Sequence, residues 1–190
     1  MDKKRKIIFD LDETLYNDSS LRERREIAIL EFLGDRKESY LELKKTLGTI
    51  ASLKELGLNK GVFYSIIEKV EIRLKKDERL RGIMEKLKDN FELIVLSNVS
   101  KGLVEKTLKK IGILDLIDHY YGADCFSQQK PSLECFFMVK TGDICIGNNY
   151  EKDLEVPKSI GAITILVGKK DIRSDFCVKD IHDILKVING

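Results

Sequence analysis

The chain has no tryptophan and only two glutamines, Gln128 and Gln129. Beside its heavy use of lysine and glutamate, that scarcity agrees with a heat-adapted source. Long hydrophobic runs are missing too. The longest, at residues 91–96 and 162–167, are strand-sized, where a membrane-spanning helix needs about 20 apolar residues. The first residues lack the apolar stretch of a secretory signal. The four cysteines, Cys125, Cys135, Cys145 and Cys177, include no CxxC pair. They read as reduced, mostly packing cysteines of a cytoplasmic protein. No charge sign dominates: 34 Lys and Arg stand against 32 Asp and Glu, for a net charge of +2. With both signs interspersed, neither nucleic acid nor a membrane surface is called for as a partner. The short run Lys3-Lys4-Arg5-Lys6 reads as a solvated start to the first strand. The two histidines, His119 and His182, sit in no partner pattern and are taken as non-catalytic.

What is present is a globular composition, 43% hydrophobic and 35% charged, over 190 residues. That length suffices for one core with a smaller inserted subdomain. The first strand is expected at residues 6–10. A charged, helix-rich block follows, with the patterns Ser20-x-x-Glu23, Ser39-x-x-Glu42 and Ser52-x-x-Glu55 read as capping boxes. Asn59 is expected to cap a fourth helix. After residue 77 helices alternate with short strands rich in Ile, Val and Leu, near residues 92–97, 120–123, 144–146 and 162–167. Helices are expected at 78–87, from Ser100 to Gly112, after Pro131, at 151–160 and at 181–188. This alternation predicts an α/β fold with a doubly wound parallel sheet. The core would comprise residues 1–17 and 77–190, and a helical cap residues 18–76.

The chemistry concentrates at predicted strand ends, where open α/β sheets bind ligands. In Ile7-Ile8-Phe9-Asp10-Leu11-Asp12-Glu13-Thr14-Leu15 an apolar strand delivers two carboxylates one residue apart. Like charges so close repel, and a cation with a chemical task is the usual reason to keep them. Ser97 and Asn98 follow the second strand, before a helix whose first N–H groups suit an anion. Lys130 precedes an expected helix start. Asn148 and Asp153 follow the strand at 144–146. A carboxylate can attack phosphorus, and phosphoryl transfer needs charge neutralisation and positioning above all. Tyr16, Phe63 and Tyr64 are read as core or cap packing residues ahead of the alternative, a lining of the substrate pocket.

Together these stretches resemble the haloacid dehalogenase-like superfamily. Asp10-Leu11-Asp12-Glu13-Thr14-Leu15 matches its first motif, Leu96-Ser97-Asn98 the second, Lys130-Pro131 the third, and Gly147-Asn148 with Asp153 the fourth. The resemblance implies a Rossmann-like core with a helical cap, and a magnesium-dependent phosphatase. It implies Asp10 as nucleophile and Asp12 as general acid and base. Ser97, Asn98 and Lys130 would bind phosphate. Mg2+ would be held by Asp10, the Asp12 backbone, Asn148 and Asp153. A cap implies a small phosphorylated metabolite as substrate. Members that displace halide lack an acid two residues after the nucleophile, so Asp12 favours phosphoryl transfer. Asn148 departs from the pattern, which has an acidic ligand there. The alternatives left open are a catalytically impaired binding or regulatory protein and a phosphotransferase or mutase. The oligomeric state is not legible.

Overall fold

The computed structural model describes residues 4–188. Six strands form one sheet: β1 (Arg5–Phe9), β2 (Phe91–Leu96), β3 (His119–Tyr121), β4 (Ile144–Gly147), β5 (Ile163–Val167) and β6 (Phe176–Val178). Every neighbouring pair is parallel, and the order is β3-β2-β1-β4-β5-β6. Strands covered on both faces carry apolar residues without alternation. Accordingly residues 7–9, 93–96 and 144–147 are buried throughout. The chain leaves β1 toward β3 on one side, then returns to β4 on the other. The winding direction therefore reverses between β1 and β4, and the crevice beyond their carboxyl ends is the ligand-binding place of such sheets. Asp10 N–H donates to the Ile146 carbonyl at 2.8 Å there, tying the two strand ends together.

The chain divides into two compact units, one of residues up to Asn17 with those from Leu74 onward, the other Asp18–Arg73. The second holds α1 (Ser19–Leu33), α2 (Lys37–Leu47), α3 (Thr49–Glu55) and α4 (Lys60–Ile67). Within it α1 packs on α4 and α2 on α3. Asn59 does cap α4, accepting from Val62 N–H at 3.1 Å. The three Ser-x-x-Glu patterns are not caps. Asp18 caps α1 and accepts from Leu21 N–H at 3.1 Å. Ser39 lies inside α2, which has no side-chain cap, and Ser52 lies inside α3, donating to the Gly48 carbonyl at 2.7 Å. Spacing alone does not say which residue leaves helical backbone; Asp18 does, with φ −139° and ψ 90°.

In the sheet-bearing unit α5 (Glu78–Lys88) packs on β2, α6 (Lys101–Ile111) on β3 and α7 (Glu155–Ile160) on β5, and α8 (Leu185–Ile188) ends the chain's described part. Ser100 caps α6 and Gly112 closes it in the left-handed region, as the sequence predicts. The helix expected after Pro131 is absent. A cis Lys130–Pro131 bond leads instead to a single 3-10 turn, Leu133–Phe136. The helix expected at 151–160 begins as a π-helical turn, Tyr150–Leu154. Strand β6 escaped the sequence pattern because only Val178 of its three residues is buried, leaving no apolar run to read.

Other readings change as well. Lys3 lies outside the described residues. Lys4 and Arg5 are exposed, but Lys6 is buried. Its Nζ donates to the Met138 carbonyl at 2.6 Å and lies 3.8 Å from Asp143. A parallel sheet covers its central strand on both faces, so Lys6 cannot reach solvent and takes a partner instead. His182 also has partners, Asp180 and, at 2.9 Å, Asp77. Of the four cysteines, Cys135 and Cys145 are buried, while Cys125 and Cys177 are exposed. Among the described residues no helix is long and apolar enough to cross a membrane.

Candidate active site

Beyond β1 the chain turns tightly. Thr14 and Leu15 N–H both donate to the Leu11 carbonyl, at 3.3 and 3.0 Å. Leu11 and Leu15 are almost wholly buried and pin the turn to the core. The turn thereby brings Thr14 Oγ1 back to Asp10 Oδ2 at 2.9 Å. It also brings the Tyr16 hydroxyl to Asp12 Oδ1 at 2.5 Å. Tyr16 thus belongs to the site rather than to packing alone. Glu13 sits in this turn at φ 61°, the left-handed conformation that suits glycine and strains other residues.

Lys130 is the hub. Its Nζ donates to Asp10 Oδ1 at 2.7 Å, to Asp153 Oδ1 at 2.7 Å and to the Leu96 carbonyl at 2.9 Å. All three ammonium protons are therefore used, the full capacity of a lysine. Its side chain is 3% exposed, so its charge cannot be solvated and must be paired. Asn98 holds the lysine's backbone from both sides. Its Oδ1 accepts from Lys130 N–H at 2.9 Å, and its Nδ2 donates to the Lys130 carbonyl at 3.2 Å. In this geometry the Asn98 amide fixes the Lys130 backbone with one donor and its acceptor. Ser97 is buried at the end of β2, and its hydroxyl accepts weakly from Val99 N–H at 3.4 Å.

The fourth stretch is organised by Gly147. A Cβ there would lie 2.4 Å from Asp153 Cβ and 2.8 Å from its carboxylate carbon, so only glycine leaves room for Asp153. The π-helical turn folds Asp153 back over β4, where its Oδ2 accepts from Asn149 N–H at 3.1 Å. Such turns recur at functional sites. Asn148 lies one residue beyond β4, and its Nδ2 donates to Glu13 Oε2 at 3.1 Å. Of the residues singled out by the sequence, the structure therefore joins Asp10, Lys130 and Asp153 directly. Asn98 joins them through Lys130. Asn148 and Asp12 are instead bonded to Glu13 and Tyr16, two neighbours in the first turn to which the sequence reading gave no site role.

The walls behind Asp10 are apolar: Ile8, Leu96, Phe136, Cys145 and Ile146 line a small cavity with Asp10, Lys130 and Asp153. Burial raises the Asp10 pKa to about 7; Lys130 opposes the rise, while Asp153 and Asp12 add to it. For Lys130 burial works against the charge, but Asp10 and Asp153 outweigh it and hold the ammonium above its ordinary value. Burial likewise pushes the Cys145 thiol up, so it is no nucleophile.

One ammonium thus faces two buried carboxylates, and once Asp10 is ionised, above about pH 7, negative charge is left over for a second cation. Among the described residues no three His, Cys, Asp or Glu side chains form a ready metal cage. The groups that could hold a cation, as the resemblance implies, are the carboxylates of Asp10 and Asp153, the Asp12 backbone carbonyl and the Asn148 amide oxygen. These are hard oxygens with few carboxylates, a set that fits Mg2+ completed by water or substrate oxygens.

Residues 7–141 match a family model described as haloacid dehalogenase-like hydrolase. The matched span takes in Asp10, Asp12, Ser97 and Lys130 and stops short of Asn148 and Asp153. A curated relative, glyceraldehyde 3-phosphate phosphatase of Methanocaldococcus jannaschii, is 27% identical over 97% of this chain and 96% of its own. Among solved structures, the HAD-hydrolase YfnB of Bacillus subtilis, bound to magnesium, superposes with a TM-score of 0.68 at 16% identity, covering 99% of this chain and 100% of that one. A 2-haloacid dehalogenase of Pseudomonas syringae gives 0.65 at 16%, covering 98% and 99%. Hydrolases of two chemistries thus share the fold, and fold alone does not choose between them.

Proposed function

We propose that this chain, which belongs to the haloacid dehalogenase-like hydrolase family, hydrolyses a small-molecule phosphate monoester, with Asp10 as nucleophile. The observation that carries this reading is the buried Asp10–Lys130–Asp153 cluster at the reversal point of the sheet, with a second acid, Asp12, two residues from Asp10. Halide displacement needs no proton donor for its leaving group, whereas an alkoxide leaving from phosphorus does. Asp12 supplies one. The phosphatase name of the curated relative points the same way.

In the first step an Asp10 oxygen bonds to phosphorus while the bond from phosphorus to the leaving oxygen breaks. Asp12 gives that oxygen its proton. In the second step Asp12 takes a proton from water, whose oxygen bonds to phosphorus as the aspartyl–phosphorus bond breaks. Inorganic phosphate leaves and both carboxyl groups return to their starting states. Lys130 holds Asp10 in place and sets positive charge beside the phosphoryl oxygens. Ser97 offers a hydroxyl to one of those oxygens, and Asn98 positions Lys130. Mg2+, held by Asp10, the Asp12 carbonyl, Asn148 and Asp153, would neutralise charge on the transferring group. The substrate is read as a small metabolite, with neither nucleic acid nor membrane as partner.

The test is hydrolysis of an aryl phosphate with and without Mg2+, by wild type and Asp10→Asn. Metal-dependent turnover that falls to background in Asp10→Asn is the expected result. Turnover surviving in that variant excludes Asp10 as nucleophile. Wild-type inactivity toward a broad set of phosphate esters favours the binding-protein reading that Asn148 motivates.

A further inference from the structure

Asn148 stands where an acid is expected, yet a carboxylate lies 3.1 Å from it, Glu13 Oε2. The contact has a direction. An ionised carboxylate only accepts hydrogen bonds, so the Asn148 nitrogen faces Glu13 and its carbonyl oxygen is the end left for a cation. The same contact would not suit an acid at 148, because two carboxylates would meet at hydrogen-bonding distance and repel. Glu13 reaches this position from a backbone conformation that costs any residue other than glycine. Strain of this kind persists where surrounding structure holds it, and functional sites are where it gathers. Both residues are only half-buried, so packing demands neither side chain.

Resting on the magnesium-dependent reading above, we propose that Glu13 and Asn148 are a matched pair. Glu13 is a positioning residue: it orients the Asn148 amide so that oxygen is presented to Mg2+. It also supplies, through one hydrogen bond, the negative charge that asparagine lacks. Partners of this kind behind metal ligands are worth about 10–100-fold in metal affinity.

The experiment is calorimetric titration with Mg2+ alone, without substrate, of wild type, Glu13→Gln, Glu13→Gly, Asn148→Asp and Glu13→Gln/Asn148→Asp, with a thermal melt of each. Glu13→Gln should weaken Mg2+ binding by about tenfold or more. In the Asn148→Asp background the same change should cost much less, because the new acid brings its own charge. Glu13→Gly should melt no lower than Glu13→Gln, since glycine accepts the positive φ, and should still bind Mg2+ weakly. Wild-type affinity in Glu13→Gln overturns the pairing, as does an equal loss in both backgrounds. Wild-type affinity in Glu13→Gly assigns Glu13 to backbone shape alone and overturns it too. A wild type that binds no Mg2+ overturns the pairing together with the metal reading on which it rests, and only that outcome touches the latter.

Discussion

Replacing Lys130 by methionine keeps most of the side chain's volume and removes its charge. The ammonium serves two carboxylates at 2.7 Å and one carbonyl at 2.9 Å, all in a site from which water is nearly excluded. Breaking a buried ion pair from one side costs about 3–5 kcal/mol, because the partner charge is stranded. For a protein of this size each kcal/mol lowers Tm by about 2–4 °C, so Lys130→Met should melt about 10 °C below wild type at pH 8 without added metal. The deficit should shrink at low pH. Asp10 already sits at about 7 against 3.8 for an unperturbed carboxyl, mainly through burial. Without Lys130 it rises further. A carboxyl whose folded value exceeds its unfolded value binds its proton more tightly when folded. Its cost to folding is therefore absent below about 3.8, grows as pH rises, and is complete above the folded value. Thermal melts at pH 5 and pH 8, with a chelator present, read this directly. Lys130→Met/Asp153→Asn, which strands one charge fewer, should recover much of the loss. A deficit of the same size at both pH values would refute stranded charge as its cause. So would a double variant that melts no higher than the single one.

Two further substitutions probe how the site is held. Asn98→Ala removes two hydrogen bonds to the Lys130 backbone, worth about 1–3 kcal/mol together. Turnover of an aryl phosphate should fall with little change in KM, since the residue acts through Lys130, and an unchanged kcat would exclude that role. Gly147→Ala forces a methyl against Asp153 at 2.4 Å. Overpacking of this kind costs about 1–3 kcal/mol, visible as a lower Tm. The displaced Asp153 should also weaken Mg2+ binding, and wild-type values for both would show that the turn yields freely.

Much of the architecture could be read along the chain because it depends on local chemistry. Unbroken Ile, Val and Leu runs mark strands covered on both faces, and intervening helices make those strands parallel. Ser100, Asn59 and Gly112 end their helices where short-range hydrogen bonding and φ preference require. The order Asp10, Ser97, Lys130, Asp153 placed these groups on the carboxyl-end side of the sheet. Local patterns misled where a distant partner decided. Spacing that suited capping boxes fell inside helices. The expected helix after Pro131 became a 3-10 turn, and Lys6, polar in sequence, is held inside the core by Asp143 and the Met138 carbonyl.

The sequence by itself determined the winding of the sheet and the set of groups at its rim, because both follow from hydrophobic period and chain order. It could not show which of those groups touch. Glu13 meets Asn148 across 135 residues because strands β1 and β4 lie side by side, and Lys130 reaches Asp10 across 120 because Asn98 and the Leu96 carbonyl hold it at the end of β2, the other neighbour of β1. Only the tertiary structure decided these pairings. It turned Asn148, a missing charge in the sequence, into one half of a hydrogen-bonded contact whose other half is a carboxylate.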